Sequence, residues 1–146
     1  MQHQSRVAVF VHLTWATWDR LPLLTDEIAP SVYRALGASC HSLHVDLVAI
    51  GGIEDHLHLL IRQPATLSLA ELMQQLKGAS AHLITHQLAP ADFFKWQGGY
   101  AVFSVSPRHL TQVRDYIANQ RQHHRTDTLL PLLEPDSEPF RTPESP

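Results

Sequence analysis

The sequence predicts an α+β domain of the ferredoxin-like type, with an antiparallel sheet in the order βαββαβ and one additional C-terminal helix. Two observations lead to this fold class. Segments rich in β-branched and aromatic residues alternate with segments whose apolar residues recur every three or four positions. The chain has 146 residues, of which 44% are apolar and 17% are charged, as expected for one domain with one modest core.

The first half of the chain supplies three strands and one helix. Residues 6–14, RVAVFVHLT, have the composition of a strand, and residues 26–41 carry apolar side chains at i+4 steps, which is typical of a helix. Residues 44–50 and 56–62 are predicted as two further strands. The glycine pair at 51–52 favours a turn between them, and the two strands would then form a hairpin.

The second half supplies a long helix, a strand and a last helix. Ser68 and Glu71 form a capping-box pattern, from which the long helix runs to about Leu88. A loop leads to a fourth strand at 99–105. Pro107 can start the last helix, predicted over residues 107–124, which carries Tyr116.

The charges divide the chain into a domain, residues 1–125, and an acidic, proline-rich tail, residues 126–146, which we expect to be partly disordered. The domain has ten Lys and Arg against nine Asp and Glu, and the tail has one against five, so the net charge of −3 belongs to the tail. No membrane-length apolar run or signal peptide is visible, and Cys40 is the single cysteine. We therefore expect a cytoplasmic protein without a membrane partner.

Two histidines, His56 and His58, stand two residues apart in the third strand. Alternate residues of a strand share one face, so both imidazoles can offer nitrogen to one divalent metal. The same spacing is also typical of an ordinary polar strand face, so a third ligand is needed. Tyr116 and Gln120 are i and i+4 on the last helix. If their side of the helix meets the sheet, the Gln120 amide oxygen completes the ligand set and the Tyr116 hydroxyl lies nearby.

Five stretches carry a resemblance to a known family. In chain order they are VHLTWATWDRLPLL, DHLHLLI, LKGASAHLI, WQGGYAVFSVS and YIANQRQHHR. With this length and strand order, the chain resembles the small single-tyrosine transposases of bacterial insertion sequences and their REP-associated relatives. These belong to the His-hydrophobic-His (HUH) endonuclease superfamily, and the resemblance covers about residues 6–125.

The resemblance implies an enzyme of DNA transposition that nicks and rejoins single-stranded DNA beside a DNA hairpin. His56 and His58 match the histidine pair that binds Mg²⁺ or Mn²⁺, and Gln120 matches the third protein ligand. Tyr116 matches the nucleophile, whose attack gives a 5′-phosphotyrosine intermediate and frees a 3′-OH. The resemblance also implies a homodimer, and it leaves open whether the tyrosine serves its own metal site or that of the partner.

Eight basic side chains are predicted DNA contacts: Arg20, Arg62, Lys77, Lys95, Arg108, Arg114, Arg121 and Arg125. Three tryptophans, at 15, 18 and 96, could stack on unpaired bases, and Trp96 is equally well explained as an anchor for the loop before the last strand. The chain departs from the family in two places. Trp18 stands where relatives usually carry a lysine, and the tail replaces a further helical stretch.

Two other functions remain open. A relative that binds DNA hairpins without cutting them is suggested by the acidic tail and by Trp18. A two-histidine phosphoesterase uses a pair of His-x-Ser/Thr units. Residues 12–14, HLT, match one unit, but residues 56–58, HLH, lack the hydroxyl, and Tyr116 and Gln120 are left unexplained.

Overall fold

A computed structural model describes residues 4–122, so the tail and Arg125 lie outside the described residues. The strands are β1 (Val9–Ala16), β2 (Asp46–Ile53), β3 (His56–Gln63) and β4 (Ala101–Val105). The helices are α1 (Ala29–Ser42), α2 (Leu69–Leu83) and α3 (Leu110–Ala118). The sheet has the order β2-β3-β1-β4 and all its pairs are antiparallel, which confirms the predicted ferredoxin-like class. No helix within the described residues is long and apolar enough to cross a membrane.

The large core lies between one face of the sheet and helices α1 and α2. Alternation along β1 and β3 turns Leu13, Leu57 and Leu59 to this face, where all three are completely buried. Cys40 joins this core, and burial raises the pKa of its thiol to about 11, so it is a packing residue and not a nucleophile.

Two of the predicted base-stacking tryptophans belong to the same core. Trp15 and Trp96 are only 1% and 6% exposed and pack edge to face, with ring centroids 5.7 Å apart. The Trp96 indole N–H donates to the Ser80 hydroxyl over 3.0 Å. The expectation that these two rings contact DNA is therefore wrong. Strand alternation places Trp15 on the helix-covered face, and the loop before β4 carries Trp96 into it.

Helix α3 covers the opposite face of the sheet, over a smaller core of Leu60, Val105 and Ile117. It lies against bare backbone at Gly51, where an added Cβ would stand 2.0 Å from the carbonyl oxygen of Ile117. The absence of a side chain at this position lets the helix approach the sheet closely.

Several element boundaries differ from the predicted ones. Gly51 and Gly52 lie inside β2, and the hairpin turn is formed by Glu54 and Asp55. The glycines are required by close approach and not by a turn, since a Cβ on Gly52 would stand 2.3 Å from the carbonyl oxygen of His56. The long helix continues as a π-helical turn over Ile84–Leu88.

The last helix is also shorter than predicted. A 3-10 turn at Pro107–His109 precedes α3, which ends at Ala118, and the helical path is interrupted at Asn119 before it resumes at Gln120. The Asn119 side chain donates to the carbonyl oxygen of Asp115 over 2.8 Å, competing for a helix acceptor at the break.

The contact at Gly51 can be tested by adding one methyl group. We expect Gly51→Ala to lower the free energy of unfolding by roughly 1–3 kcal/mol, because the methyl group meets the Ile117 carbonyl. Gly78→Ala is the matched control: it lies in α2 with nothing within 4 Å of the added Cβ, so it should stabilise by roughly 0.5–1 kcal/mol. Urea unfolding measures both. Equal stabilities for Gly51→Ala and the wild type would contradict the close approach.

Candidate active site

The two predicted metal-binding histidines lie under α3. His56 and His58 are completely buried, and their ring centroids are 4.9 Å apart on the face of β3 that also carries Leu60. Thr14 pairs with His58 across the sheet, and its hydroxyl donates to the carbonyl oxygen of Leu57 over 2.8 Å. The sheet therefore holds both imidazoles on rigid backbone.

Helix α3 and the helical turn that follows its break at Asn119 bring the other two predicted residues to the same place. The His56 Nε2 and Gln120 Oε1 atoms are 3.4 Å apart. The ring of Tyr116 packs edge to face on His58, with centroids 6.1 Å apart, and Tyr116 and Gln120 are both buried. The four side chains that the sequence singled out thus converge within one chain.

Each imidazole is held through its Nδ1 atom. His56 Nδ1 lies 2.7 Å from Asp55 Oδ1, and His58 Nδ1 lies 2.7 Å from Nε2 of the buried His12. Partners of this kind fix the ring orientation and the tautomer of a histidine. The second nitrogen of each ring is Nε2, and a histidine held through Nδ1 offers Nε2 to a ligand.

The pairing of His56 with Gln120 fits a bound cation. In the neutral tautomer whose Nδ1–H donates to the Asp55 carboxylate, Nε2 of His56 carries a lone pair. The Gln120 amide N–H donates to the carbonyl oxygen of Tyr116 over 3.2 Å, which turns Oε1 toward His56. Two acceptors then face each other, an arrangement that a cation between them stabilises.

The two atoms that would face such a cation lie close together. The observed separation of His56 Nε2 and Gln120 Oε1 is 3.4 Å. Within residues 4–122, no three His, Cys, Asp or Glu side chains form a metal-binding group. Any three-ligand set at this place would therefore need the amide oxygen of Gln120 as its third donor.

Arg20 and Asp55 form the outer wall of the site. The Arg20 Nη2 atom lies 3.3 Å from Asp55 Oδ1 and 3.4 Å from His56 Nδ1. Burial acts to raise the pKa of Asp55, but the hydrogen bond with His56 and the charge of Arg20 outweigh it, and the pKa lies below its ordinary value of 3.8. Arg20 and Asp19 both adopt left-handed backbone, with φ of 53°, a strained turn at the rim of the site.

Sequence reasoning missed the roles of His12 and Asp55. Strand alternation predicts that Asp55 points with Leu57, away from the histidines, but Asp55 lies in the turn before β3, where alternation does not apply. His12 shares the site face of β1, and its contact with His58 depends on the register of β1 against β3. Helix α1 and strand β2 lie between β1 and β3 in the chain, so that register is set by the folded sheet and is not visible in either segment alone.

Two of the predicted DNA contacts, Lys77 and Arg62, are engaged by the protein itself. The Lys77 ammonium donates to the carbonyl oxygens of Gln97 and Gly99, at 2.7 and 2.9 Å, and burial lowers its pKa. The Arg62 guanidinium donates to the carbonyl oxygen of Val7 and lies over the ring of Phe10.

The remaining described cations lie on the surface. Arg121 pairs with Asp26 and Glu54, and Arg114 lies 3.7 Å from its neighbour Asp115. Lys95 stands over the ring of Trp18, and the side chain of Arg108 is exposed. Among the predicted basic residues that the structure describes, Arg20 contacts a candidate metal ligand, His56.

Two clefts flank α3 beside the buried histidines. One has a volume of about 520 Å³ between α1, β2 and the end of α3, and Gln120 lies in its wall. The other, of about 230 Å³, lies between β4 and α3 and reaches Tyr116. The clefts thus reach two of the four converging side chains, Gln120 and Tyr116.

Comparison with known proteins decides the family. Residues 5–120 match the family described as "Transposase IS200 like". The chain belongs to the IS200-like transposase family. This confirms the resemblance stated from the sequence, and it makes the chain a relative of enzymes that cleave and rejoin DNA.

Individual transposases of this family are similar over most of their length. The transposase of insertion sequence IS200 from Salmonella typhimurium is 26% identical over 134 residues, covering 88% of this chain and 87% of the relative. The ISDra2 transposase TnpA of Deinococcus radiodurans is 25% identical over 114 residues, covering 75% of this chain and 81% of the relative.

Two solved structures share the fold. A crystal structure from Deinococcus radiodurans R1, described as a candidate transposase, has a TM-score of 0.65 and 28% identity, covering 82% of this chain and 97% of that one. A REP-associated tyrosine transposase, solved bound to a REP hairpin, has a TM-score of 0.63 and 14% identity, covering 85% of this chain and 74% of that one.

The contact of Asp55 with His56 predicts a pH dependence of stability. Folding lowers the pKa of Asp55, so the ionised carboxylate stabilises the fold. This stabilisation is complete well above the unfolded pKa of 3.8, and it is lost as the pH falls through the lower pKa of the folded state. In EDTA at pH 7, Asp55→Asn should therefore be less stable than the wild type by roughly 1 kcal/mol, and the difference should shrink as the pH falls below 3.8.

Urea unfolding across this pH range measures the effect. Asp46→Asn, which removes an exposed carboxylate from β2, is the control and should change stability by less than about 0.5 kcal/mol. A difference between Asp55→Asn and the wild type that stays constant from pH 7 to pH 3 would show that the carboxylate charge is not what stabilises this turn.

Proposed function

We propose that this protein is a single-strand DNA endonuclease and strand transferase of the HUH type, with Tyr116 as its nucleophile. The observation that carries the proposal is the convergence of Tyr116 and Gln120 on the histidine pair of β3 within one chain. His56, His58 and Gln120 would supply two imidazole nitrogens and one amide oxygen to a divalent cation. The family resemblance implies that this ion is Mg²⁺ or Mn²⁺.

The chain's own residues prepare this donor set. Asp55 fixes the tautomer of His56, His12 orients His58, and Arg20 supports Asp55 from the rim. The bound ion would polarise the phosphodiester and neutralise its developing charge. Because α3 packs directly on the sheet, Tyr116 is positioned beside His58 without help from a flexible loop.

The reaction conserves the phosphodiester bond energy. The Tyr116 oxygen attacks phosphorus, the bond from phosphorus to the 3′ oxygen breaks, and the phenolic proton is lost as the 3′ oxygen gains one. The products are a 5′-phosphotyrosine and a 3′-OH. Attack by another 3′-OH reverses the step and releases Tyr116. An ordinary phenol, with a pKa near 10, is protonated at neutral pH, so proton removal is part of the step.

The substrate and assembly follow from the family. We propose that the enzyme binds single-stranded DNA with a hairpin beside the cleavage site, and that it acts as a homodimer in the cytoplasm. Support for the hairpin comes from the solved REP-associated relative that shares the fold. The exposed basic residues, with Arg108 foremost, are proposed to contact phosphates, while Arg125 lies outside the described residues.

The alternatives are less well supported. In a two-histidine phosphoesterase His12 and Thr14 would face the substrate, but His12 contacts His58 over 2.7 Å and the Thr14 hydroxyl donates to a backbone carbonyl. A relative that binds hairpins without cutting them would need no buried ligand set, and the experiment below distinguishes it.

Covalent adduct formation tests the nucleophile. Incubated with labelled single-stranded DNA from the flanks of its own gene, the wild type should form a denaturant-resistant adduct with Mg²⁺ or Mn²⁺ and none in EDTA. Tyr116→Phe should form no adduct, because the attacking oxygen is missing. Tyr100→Phe, which removes an exposed phenol, should react like the wild type. An adduct that persists in Tyr116→Phe would assign the nucleophile elsewhere.

Removal of a metal ligand should separate chemistry from binding. We expect His56→Ala to lower the rate of adduct formation by more than about 100-fold, since even indirect partners of a metal ligand are worth 10- to 100-fold. Hairpin affinity, measured by electrophoretic shift, should change by less than about threefold, because His56 is buried beneath α3. Loss of affinity in parallel with the rate would contradict this division of roles.

The packing of Tyr116 on His58 of the same chain predicts active sites built in cis. Tyr116→Phe and His56→Ala are each expected to be inactive, and a mixture of the two should remain inactive if every chain uses its own tyrosine. Adduct formation is measured after the two variants are allowed to exchange subunits. Recovery of about one quarter of the wild-type activity, as random pairing of complementing subunits predicts, would instead show that the helix serves the partner's site.

A further inference from the structure

Trp18 is a large aromatic side chain that the fold leaves on the surface. It keeps 40% of its surface exposed, whereas the other two tryptophans are buried in the large core. Burial of an indole is strongly favourable, so its exposure is informative. Exposed aromatic residues in a loop at the rim of a site are typical of surfaces that bind a ligand.

Lys95 adds a positive charge to this ring. Its Nζ atom lies 4.1 Å from the centroid of the Trp18 ring, within the range of cation–π attraction, and Lys95 is itself exposed. The pair thus presents an aromatic plane and a cation together. These are the two groups that recognise a nucleotide of a single strand, since the plane stacks on the base and the cation meets the phosphate.

The backbone holds the pair in place before any ligand binds. The backbone N–H of Trp18 donates to the carbonyl oxygen of Lys95 over 2.9 Å, and the backbone N–H of Gln97 donates to the carbonyl oxygen of Ala16 over 2.8 Å. Lys77 fixes the same loop through its bond to the carbonyl oxygen of Gln97. A surface held in this way loses little conformational entropy on binding.

The pair lies at the rim of the candidate active site. Ala16 is the partner of His56 in the sheet, and Trp18 follows two residues later, roughly 7 Å further on at the rise of a strand. Arg20, in the same turn, reaches His56 Nδ1. A DNA strand with one phosphate at the histidines therefore passes this turn with a neighbouring nucleotide.

We propose that Trp18 and Lys95 form a subsite for one unpaired nucleotide next to the cleaved phosphodiester. The indole stacks on the base, and the Lys95 ammonium contacts the phosphate of the same nucleotide. An indole ring can stack on any of the four bases, so the subsite orients the strand and does not read its sequence. This inference rests on the proposed function, because it requires single-stranded DNA at the site.

Binding to two single strands that differ only in their bases tests the subsite. Fluorescein-labelled oligothymidylate and an abasic oligomer of equal length carry the same phosphates. Measured by anisotropy in the Tyr116→Phe background, Trp18→Leu should weaken binding of oligothymidylate by roughly 5- to 100-fold and leave binding of the abasic oligomer unchanged. Trp18→Phe, which keeps a ring, should retain most of the affinity.

Lys95 should behave differently from Trp18. Lys95→Gln should weaken binding of both oligomers and lower the slope of log affinity against log salt by about one, as expected for one phosphate contact. Phe93→Leu is the matched control, because Phe93 is 60% exposed in the same loop region and is not paired with a cation there, and it should bind both oligomers like the wild type.

Three outcomes would overturn the subsite. They are equal loss on both oligomers in Trp18→Leu, an unchanged affinity in that variant, or no measurable affinity of the parent protein for oligothymidylate. Thermal unfolding of each variant verifies that the fold is intact. The test is independent of the chemistry, since it uses a chain without the Tyr116 hydroxyl. A failure of adduct formation with intact Trp18-dependent binding would reject the nucleophile and keep the subsite.

Discussion

The contact between the backbone of α3 and the backbone of β2 is the constraint on which the candidate site depends. At Gly51 the sheet offers no side chain, and the carbonyl oxygen of Ile117 occupies the space that a Cβ would need. Tyr116 and Gln120 lie on either side of Ile117 along the helix, so the same close approach lets both reach the histidines. A helix held further away by side chains would leave the phenol and the amide short of β3, whatever their spacing along the chain.

The sequence predicted the parts of the site that depend on local periodicity. The alternation of a strand correctly placed His56 and His58 on one face, and the helical repeat correctly placed Tyr116 and Gln120 on one side. What it could not supply was the relation between elements. Glycine is typical both of a tight turn and of a strand position where another backbone approaches closely. The sequence does not distinguish these two cases, and Gly51 and Gly52 were therefore wrongly assigned to a turn.

Burial of polar and aromatic residues was harder to predict for the same reason. Trp15 has the spacing of a strand residue, but which face the helices cover is decided by the whole sheet. The role of His12 depends on the register between β1 and β3. The role of Asp55 depends on the position of the turn between β2 and β3. The basic residues illustrate the same limit, because most of them are engaged by carbonyls, carboxylates or an aromatic ring of the chain itself. Electrostatic attraction to DNA must then compete with contacts already made.

Strand β3 divides its side chains between two tasks with a period of two. Leu57 and Leu59 support the large core, while His56 and His58 face α3. A slip of β3 by one position relative to its neighbours would exchange the two sets, driving imidazoles into hydrocarbon and leucines toward the phenol. Insertions or deletions in the Glu54–Asp55 turn are therefore expected to be tolerated less well than substitutions there. Family members that differ widely in sequence should keep the length of this hairpin constant.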